Sequence, residues 1–309
     1  MAKGDFSEGV CFGFQFHSEM PLASLRNGTA ARIDVVEAPV PASTGAPLAE
    51  WPEIEGKRAH AAVYLDRDGS YLVTVGQMAR FMVDFPAGRI EAHIAPELPR
   101  EIKEGLLFST PAALCASARG SVAIHSGSVD IEGVSILLAA TGSRGKTTLT
   151  AGFHNAGFRA LADDLTCCET QRAAVLPGPA MLRLRPDSAA ALEMVDATPR
   201  PVRNGKVHFL IDQERRGNGS PVPLGGIIFL EWSAGGKPRL EPISMPEAIA
   251  KLWQLSFFLP TEEDRQRCFE GVVDLVKEAP LWVLHRARDY AQLPRVVDLI
   301  AERCAGVLA

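Results

Sequence analysis

The stretch Ile136-Leu137-Leu138-Ala139-Ala140-Thr141-Gly142-Ser143-Arg144-Gly145-Lys146-Thr147-Thr148 decides how the rest of this 309-residue chain is read. An apolar run ends in a glycine-bearing loop, the loop ends in Gly-Lys-Thr, and a helix-compatible segment follows. A loop that binds phosphate needs that order. Backbone N–H groups of the loop and of the first helical turn must converge on an anion with no Cβ in the way. In this reading Gly142, Ser143, Arg144, Gly145, Lys146, Thr147 and Thr148 cradle a nucleoside triphosphate. Lys146 places its charge on the β and γ phosphates, and the Thr147 hydroxyl ligates Mg²⁺. Ala140 stands where such loops usually carry a first glycine, and alanine fits there if its φ stays negative.

Working outward, residues 134–140 form the strand that feeds the loop, with Glu132-Gly133 as a tight turn before it. Residues 122–125 and 129–131 read as strands. Residues 145–156 are the loop's helix, capped by Gly157, and residues 158–162 are a short buried strand running into Asp163-Asp164. A helix of that length with a tight return brings the strand's end back beside the loop. Two neighbouring carboxylates there can divide labour, one holding Mg²⁺ and the other taking a proton from an attacking hydroxyl. A polar turn after a strand is the alternative. His125 ends a strand that runs alongside the loop strand through the 129–140 hairpin, so it can reach the phosphates; a purely structural histidine is the alternative there.

Further strands are expected at 166–169, 181–184, 207–211, 226–231, 240–243 and 282–285, and helices at 246–255, 262–277 and 293–304. Residues 217–223 and 233–238 read as turns. The first 120 residues have a different texture. Residues 61–65, 71–75, 78–85 and 89–94 are short, β-branched and aromatic, separated by Asp68-Gly69 and Pro86-Ala87-Gly88, which predicts a meander of hairpins. Residues 38–49 read as an exposed loop, and 96–119 as two short helices or one kinked near Pro111. The expected organisation is a β-rich module with a helical bridge over 1–120 and a phosphate-loop domain over 121–309.

A content of 47% hydrophobic and 22% charged residues is that of a soluble globular protein, and a net charge of −5 argues against a broad nucleic-acid-binding face. The six cysteines lack metal-ligand spacing and read as reduced thiols, with Cys167 and Cys168 on opposite faces of a strand. The N-terminus has no apolar signal core, and no apolar run is long enough to span a bilayer. No nucleic-acid or membrane partner and a cytoplasmic location are expected; a homo-oligomer is compatible with the sequence.

The run His125-Ser-Gly-Ser-Val-Asp-Ile-Glu-Gly-Val-Ser-Ile-Leu-Leu, then Ala-Thr-Gly-Ser-Arg-Gly-Lys-Thr-Thr-Leu, then Gly157-Phe-Arg-Ala-Leu-Ala-Asp-Asp resembles the HPr kinase/phosphorylase catalytic domain. The chain as a whole resembles a divergent branch, the HPr-kinase-like kinases of bacterial peptide-biosynthesis clusters, which include kinases of lasso-peptide precursors. Residues in matched segments are Pro179 to Asp187, the Lys206-Val-His-Phe-Leu strand and the Pro280 to Leu284 strand. The resemblance implies an α/β fold with a mixed-sheet phosphate-loop core like those of HPr kinase and phosphoenolpyruvate carboxykinase. It implies an ATP- and Mg²⁺-dependent kinase acting on a serine hydroxyl of a peptide or protein. By matched position Lys146 and the loop clamp phosphate, Thr147 and Asp164 hold the metal, Asp163 is the base or orienting group, and His125 lies near the terminal phosphate. Which aspartate does which stays open. Arg183, Arg203 and Lys206 are candidates for phosphate or substrate contact, with solvated surface charge as the alternative. The loop departs from the usual Gly-x-Ser-Gly-x-Gly-Lys-Ser, and no Arg-Gly-Leu-Gly-like signature follows, which points away from HPr as substrate and from the reverse reaction. A small-molecule kinase and a non-catalytic nucleotide sensor are the competing readings.

Overall fold

The computed structural model describes residues 6–43, 45–52, 60–66, 68–201 and 205–308, the side chains of 201 and 305–308 excepted. The loop strand is Val134–Ala139, buried at every position after the first. It lies between Ser126–Ile131, antiparallel to it, and Val222–Trp232, parallel to it. Leu281–Arg286 adds parallel to Val222–Trp232, and Arg239–Pro242 pairs antiparallel with Leu281–Arg286.

Strands in the middle of such a sheet must be covered on both faces. On one face Leu137 and Ala139 pack with Ile227 and Phe229 against Ala248, Leu252, Val272 and Leu275 of the helices Met245–Leu255 and Glu262–Glu278. On the other, Ile136 and Leu138 meet Leu149 and Phe153 of the loop helix Lys146–Asn155, and Val296, Val297 and Ile300 of the helix Leu293–Leu308. Burial on both faces is why this stretch is a continuous apolar run and not an alternating one. The same sheet extends through Ala174–Leu176, Thr166–Glu169, Val122–Ile124 and Ser256–Phe257 on one side and Arg159–Ala162 on the other. In Thr166–Glu169, Cys167 enters one core and Cys168 another, as alternation across a strand requires. All six cysteines are free and buried.

A three-stranded sheet of Met181–Leu184, Val207–Ile211 and Ala197–Pro201 packs Leu182, Leu184, Phe209 and Ile211 near Ala151 of the loop helix. The loop helix is therefore enclosed by two sheets and a helix. That fixes the direction in which its N-terminus points.

The N-terminal sheet has eight strands in the order Ser7–Cys11, Phe14–Ser18, Ala31–Glu37, Arg89–Ile94, Ala79–Asp84, Tyr71–Val75, Ala61–Leu65, Ala49–Trp51. The last five include the expected meander. Phe14–Ser18, Ala31–Glu37 and Arg89–Ile94 run parallel to one another. The bridge is two helices, Arg100–Leu107 and Thr110–Ala118, with Pro111 in the first turn of the second, where its missing N–H costs nothing. One core joins the parts: Phe16, Phe81 and Ile90 of the sheet, Leu107 and Cys115 of the bridge, and Ala123, Cys167 and Leu176 beyond it. The expected turn at 217–223 is shorter than read, because Val222 and Pro223 pair with Val175 and Ala174. Among the described residues no helix is long and apolar enough to cross a membrane.

Candidate active site

Between the loop strand and the loop helix the backbone turns sharply, with Ser143 at φ +63° and Gly145 at φ +78°. Ala140 is not among the positive-φ residues, so the alanine there is unstrained. Gly145 is needed for two reasons. Its φ is left-handed, and a Cβ at 145 would collide with the guanidinium of Arg286.

Lys146 opens the helix with its side chain folded back under the loop. Its Nζ donates to Ala140 O at 2.7 Å and lies 3.0 Å from His125 Nε2. An ammonium has only donors, so Nε2 must accept; His125 is then neutral, with its proton on Nδ1. Nδ1 indeed has an acceptor, the carbonyl of Asp164 at 2.9 Å. Burial pushes the pKa values of both His125 and Lys146 down, in keeping with a neutral imidazole beside a crowded cation.

The two aspartates differ sharply. The Asp163 side chain is 1% exposed and the Asp164 side chain 42%. Asp163 Oδ1 accepts the Thr147 hydroxyl at 2.6 Å, and Oδ2 accepts the backbone N–H of Arg183 at 3.0 Å. Burial raises its pKa, with the charge of Arg183 working against that rise. Asp164 has φ +72°, a sparsely populated conformation for a residue with a Cβ, and it turns its carboxylate to Arg183 Nη2 at 3.0 Å and to His125 Nδ1 at 3.4 Å. Partial burial would raise its pKa, but Arg183 first, then His125, Lys206 and Lys146, bring it down to about 2.

Of the residues expected at the site, Lys146, Thr147, His125, Asp163, Asp164 and Arg183 form one connected set. The Thr147 hydroxyl meets Asp163, whereas the resemblance groups Thr147 with Asp164 at the metal. Lys206 is close enough to depress the pKa values of both Asp164 and Lys146. Thr148 turns aside: its hydroxyl meets Ser188 Oγ at 3.2 Å, which meets Tyr290 OH at 3.0 Å. Arg203 lies outside the described residues.

Three contributors had no assignment from the sequence. Arg185 Nη2 donates to Ser143 Oγ at 3.0 Å, and Trp232 Nε1 donates to Ser143 O at 3.3 Å. Arg286 Nη2 donates to the carbonyls of Arg144 and Gly145, both at 3.1 Å. Arg185 sits in the flagged stretch from Pro179 to Asp187, so a signal existed for it. Trp232 and Arg286 carry no local signal; only the pairing of their strands brings them under the loop.

Thr147 Oγ1 and Asp163 Oδ1 are hard oxygen donors side by side at the start of a helix, a set that suits Mg²⁺ carried in on nucleotide phosphates. Among the described residues no group of three or more His, Cys, Asp or Glu could hold a metal without such a ligand.

No family model matches the chain, and no curated protein matches it. Among solved structures it is similar to the Hpr(Ser) kinase/phosphatase from Coxiella burnetii, at 10% identity and a TM-score of 0.32, over 60% of this chain and 99% of that one. A likeness at that score says nothing of activity; what the chain can do follows from the site itself.

Proposed function

We propose that this chain is an ATP- and Mg²⁺-dependent kinase that transfers the γ-phosphoryl group to a serine hydroxyl of a peptide or protein. The observation that carries the reading is the connected set Thr147–Asp163–Arg183–Asp164–His125–Lys146 at the mouth of a glycine loop that opens a helix. A single carboxylate at the metal would serve a nucleotide sensor. A second carboxylate beside the first, open to the outside although paired with Arg183 and His125, is available to an incoming acceptor.

The geometry favours these roles. Lys146 gives up its contacts to Ala140 O and His125 and turns its ammonium to the β and γ phosphates. Thr147 and Asp163 hold Mg²⁺, which when bound neutralises phosphate charge. Asp164, exposed and ionised, orients the acceptor hydroxyl. As the acceptor oxygen bonds to the γ-phosphorus, the bond from that phosphorus to the bridging oxygen of ADP breaks, and the hydroxyl proton passes to the Asp164 carboxylate and on to solvent. Arg183 steadies both aspartates, and neutral His125 holds the Asp164 segment through its Nδ1–H to the Asp164 carbonyl. A loose transition state of this kind needs positioning and charge neutralisation above all. Asp164 has too low a pKa to be a strong base, and its part is mainly orientation.

By resemblance the favoured acceptor is a lasso-type precursor peptide, captured in part along an edge of the N-terminal sheet such as Ala49–Trp51. The protein is incubated with ATP labelled in the γ-phosphate, Mg²⁺ and a serine-containing peptide library, and in parallel with a metabolite mixture. Label in peptide supports the proposal. Label in a metabolite alone makes this a small-molecule kinase, and nucleotide binding without turnover on either makes it a sensor.

A further inference from the structure

The underside of the glycine loop is built as deliberately as its mouth. Arg286 is the last residue of Leu281–Arg286 and pairs in register with Trp232 on the neighbouring strand. It is 5% exposed, and its guanidinium lies over the Trp232 ring at 4.5 Å from the centroid. Trp232 holds the carbonyl of Ser143, and Arg286 holds those of Arg144 and Gly145. Three consecutive loop carbonyls are thus tied down by one stacked pair.

In a trans peptide the C=O and the following N–H point in opposite directions, and none of the described peptides is cis. Fixing the carbonyls of Ser143, Arg144 and Gly145 therefore turns the N–H groups of Arg144, Gly145 and Lys146 to the other side, where the loop faces the helix mouth. Those are the donors a phosphate needs. Arg286 also brings charge. Among the described residues no carboxylate lies within ion-pair distance of it, and its buried Nε has no hydrogen-bond partner. Glu231, the neighbouring acid, is turned to Arg144 at 3.5 Å and Lys251 at 3.4 Å. A buried cation without a counter-ion creates a potential that favours an anion above the loop.

We infer that Arg286 is a positioning residue for polyphosphate: it holds the loop carbonyls from beneath so that the loop N–H groups face the ligand, and the bound phosphates complete its charge. This rests on the nucleotide reading above. The test is calorimetric titration of inorganic tripolyphosphate, and of Mg-ATP, into the parent protein, Arg286→Met, Arg286→Lys and Lys146→Ala, each checked for folding by thermal unfolding. Arg286→Met is expected to bind tripolyphosphate at least about tenfold more weakly, the order of one charge-assisted contact. Arg286→Lys keeps the charge but loses the fork that spans two carbonyls, and is expected to fall between Met and parent. In turnover, the ATP KM should rise while the acceptor KM stays near parental, a split that a general loss of structure would not give. Parental tripolyphosphate affinity in a folded Arg286→Met overturns the inference. If Arg286→Met does not fold, parental affinity in Arg286→Lys does so instead. Loss of binding in Lys146→Ala with none in the Arg286 variants leaves the nucleotide reading intact and removes this inference alone. Parental binding in Lys146→Ala removes the nucleotide reading itself.

Discussion

Among the described residues two arginines are buried without a carboxylate partner, and they are used in opposite ways. Arg26, 2% exposed, reaches from the N-terminal segment into the other half of the chain, where Nε donates to Gly178 O and Nη2 to Ala160 O and Leu161 O. Its Nη1 donates to Arg216 O, so every nitrogen is engaged. Arg286 is as deeply buried, but only Nη2 serves the loop, and Nε is left without a partner. Burial lowers the pKa of each, Arg26 to about 9 and Arg286 to about 10. A buried cation with every donor satisfied is a rivet. One with a spare donor and no carboxylate partner among the described residues, set beneath the glycine loop, fits the inferred role in positioning an anion.

The largest expected effect lies on the Arg26 side. Arg26→Met removes a donor from four carbonyls, of which Leu161 O keeps the N–H of Gly178; at about 1–3 kcal/mol for each carbonyl left without a partner, the variant should lose much of its cooperative folding. Removing residues 1–95 should do the same, because the core that includes Phe16 and Phe81 also includes Cys167 and Leu176. Arg286→Met should stay folded, at a cost of roughly 1–3 kcal/mol. Urea unfolding followed by circular dichroism decides between them, and a stable Arg26→Met beside an unfolded Arg286→Met would break the comparison.

The same contrast recurs between the aspartates. Asp163 has both oxygens engaged by the protein; Asp164 is open to the outside. Asp164→Asn should leave Mg-ATP affinity near parental and cut the transfer rate by roughly 10²-fold, the order that misplacing a reacting group costs. Asp163→Asn should instead weaken Mg-ATP binding, with partial rescue by added Mg²⁺. Calorimetry beside initial rates reads both, and the opposite pattern restores the assignment expected from sequence.

The smallest effect concerns pH. His125 has its folded pKa below the ordinary imidazole value of about 6.5, so the unfolded chain takes up that proton first as pH falls. The stability and the Lys146 contact that depend on neutral imidazole are present above that value and are lost as pH falls toward the folded pKa. Asp164, at about 2, stays ionised throughout this window. Transfer rate and thermal stability should therefore decline together on the acid side, and His125→Gln should flatten that limb of the stability profile. An unchanged limb in His125→Gln removes His125 from the account.

What the sequence made legible follows the range of the interactions. Strands Tyr71–Val75 and Ala61–Leu65 were readable because Asp68-Gly69 turns one into the other. Ala31–Glu37 was not, since both its partners are parallel and no hairpin turn marks it, and Phe14–Ser18 was not, since its hairpin with Ser7–Cys11 turns at Phe12-Gly13 with no Asn-Gly or Asp-Gly signal. Ala197–Pro201 carries two prolines and reads as loop; it is tolerated as an edge strand paired only with Val207–Ile211. At the site, Lys146, Thr147 and the aspartate pair sit on one strand–loop–helix–strand unit and announced themselves. The support beneath the loop did not: Arg286 is 141 residues from Gly145 and reaches it only because two parallel strands bring position 286 beside Trp232.

Whether this loop carries a nucleotide whose phosphate is passed on is read most directly by single-turnover transfer of γ-labelled phosphate to peptide by the parent protein and by Lys146→Ala. Lys146 faces the loop and not a core, so the variant should unfold at a temperature close to the parent's. It should lose transfer by roughly a hundredfold or more, as expected when a preorganised charge at the transferring phosphoryl group is removed. Equal transfer by the two folded proteins, or no transfer and no ATP binding by the parent, would contradict the account.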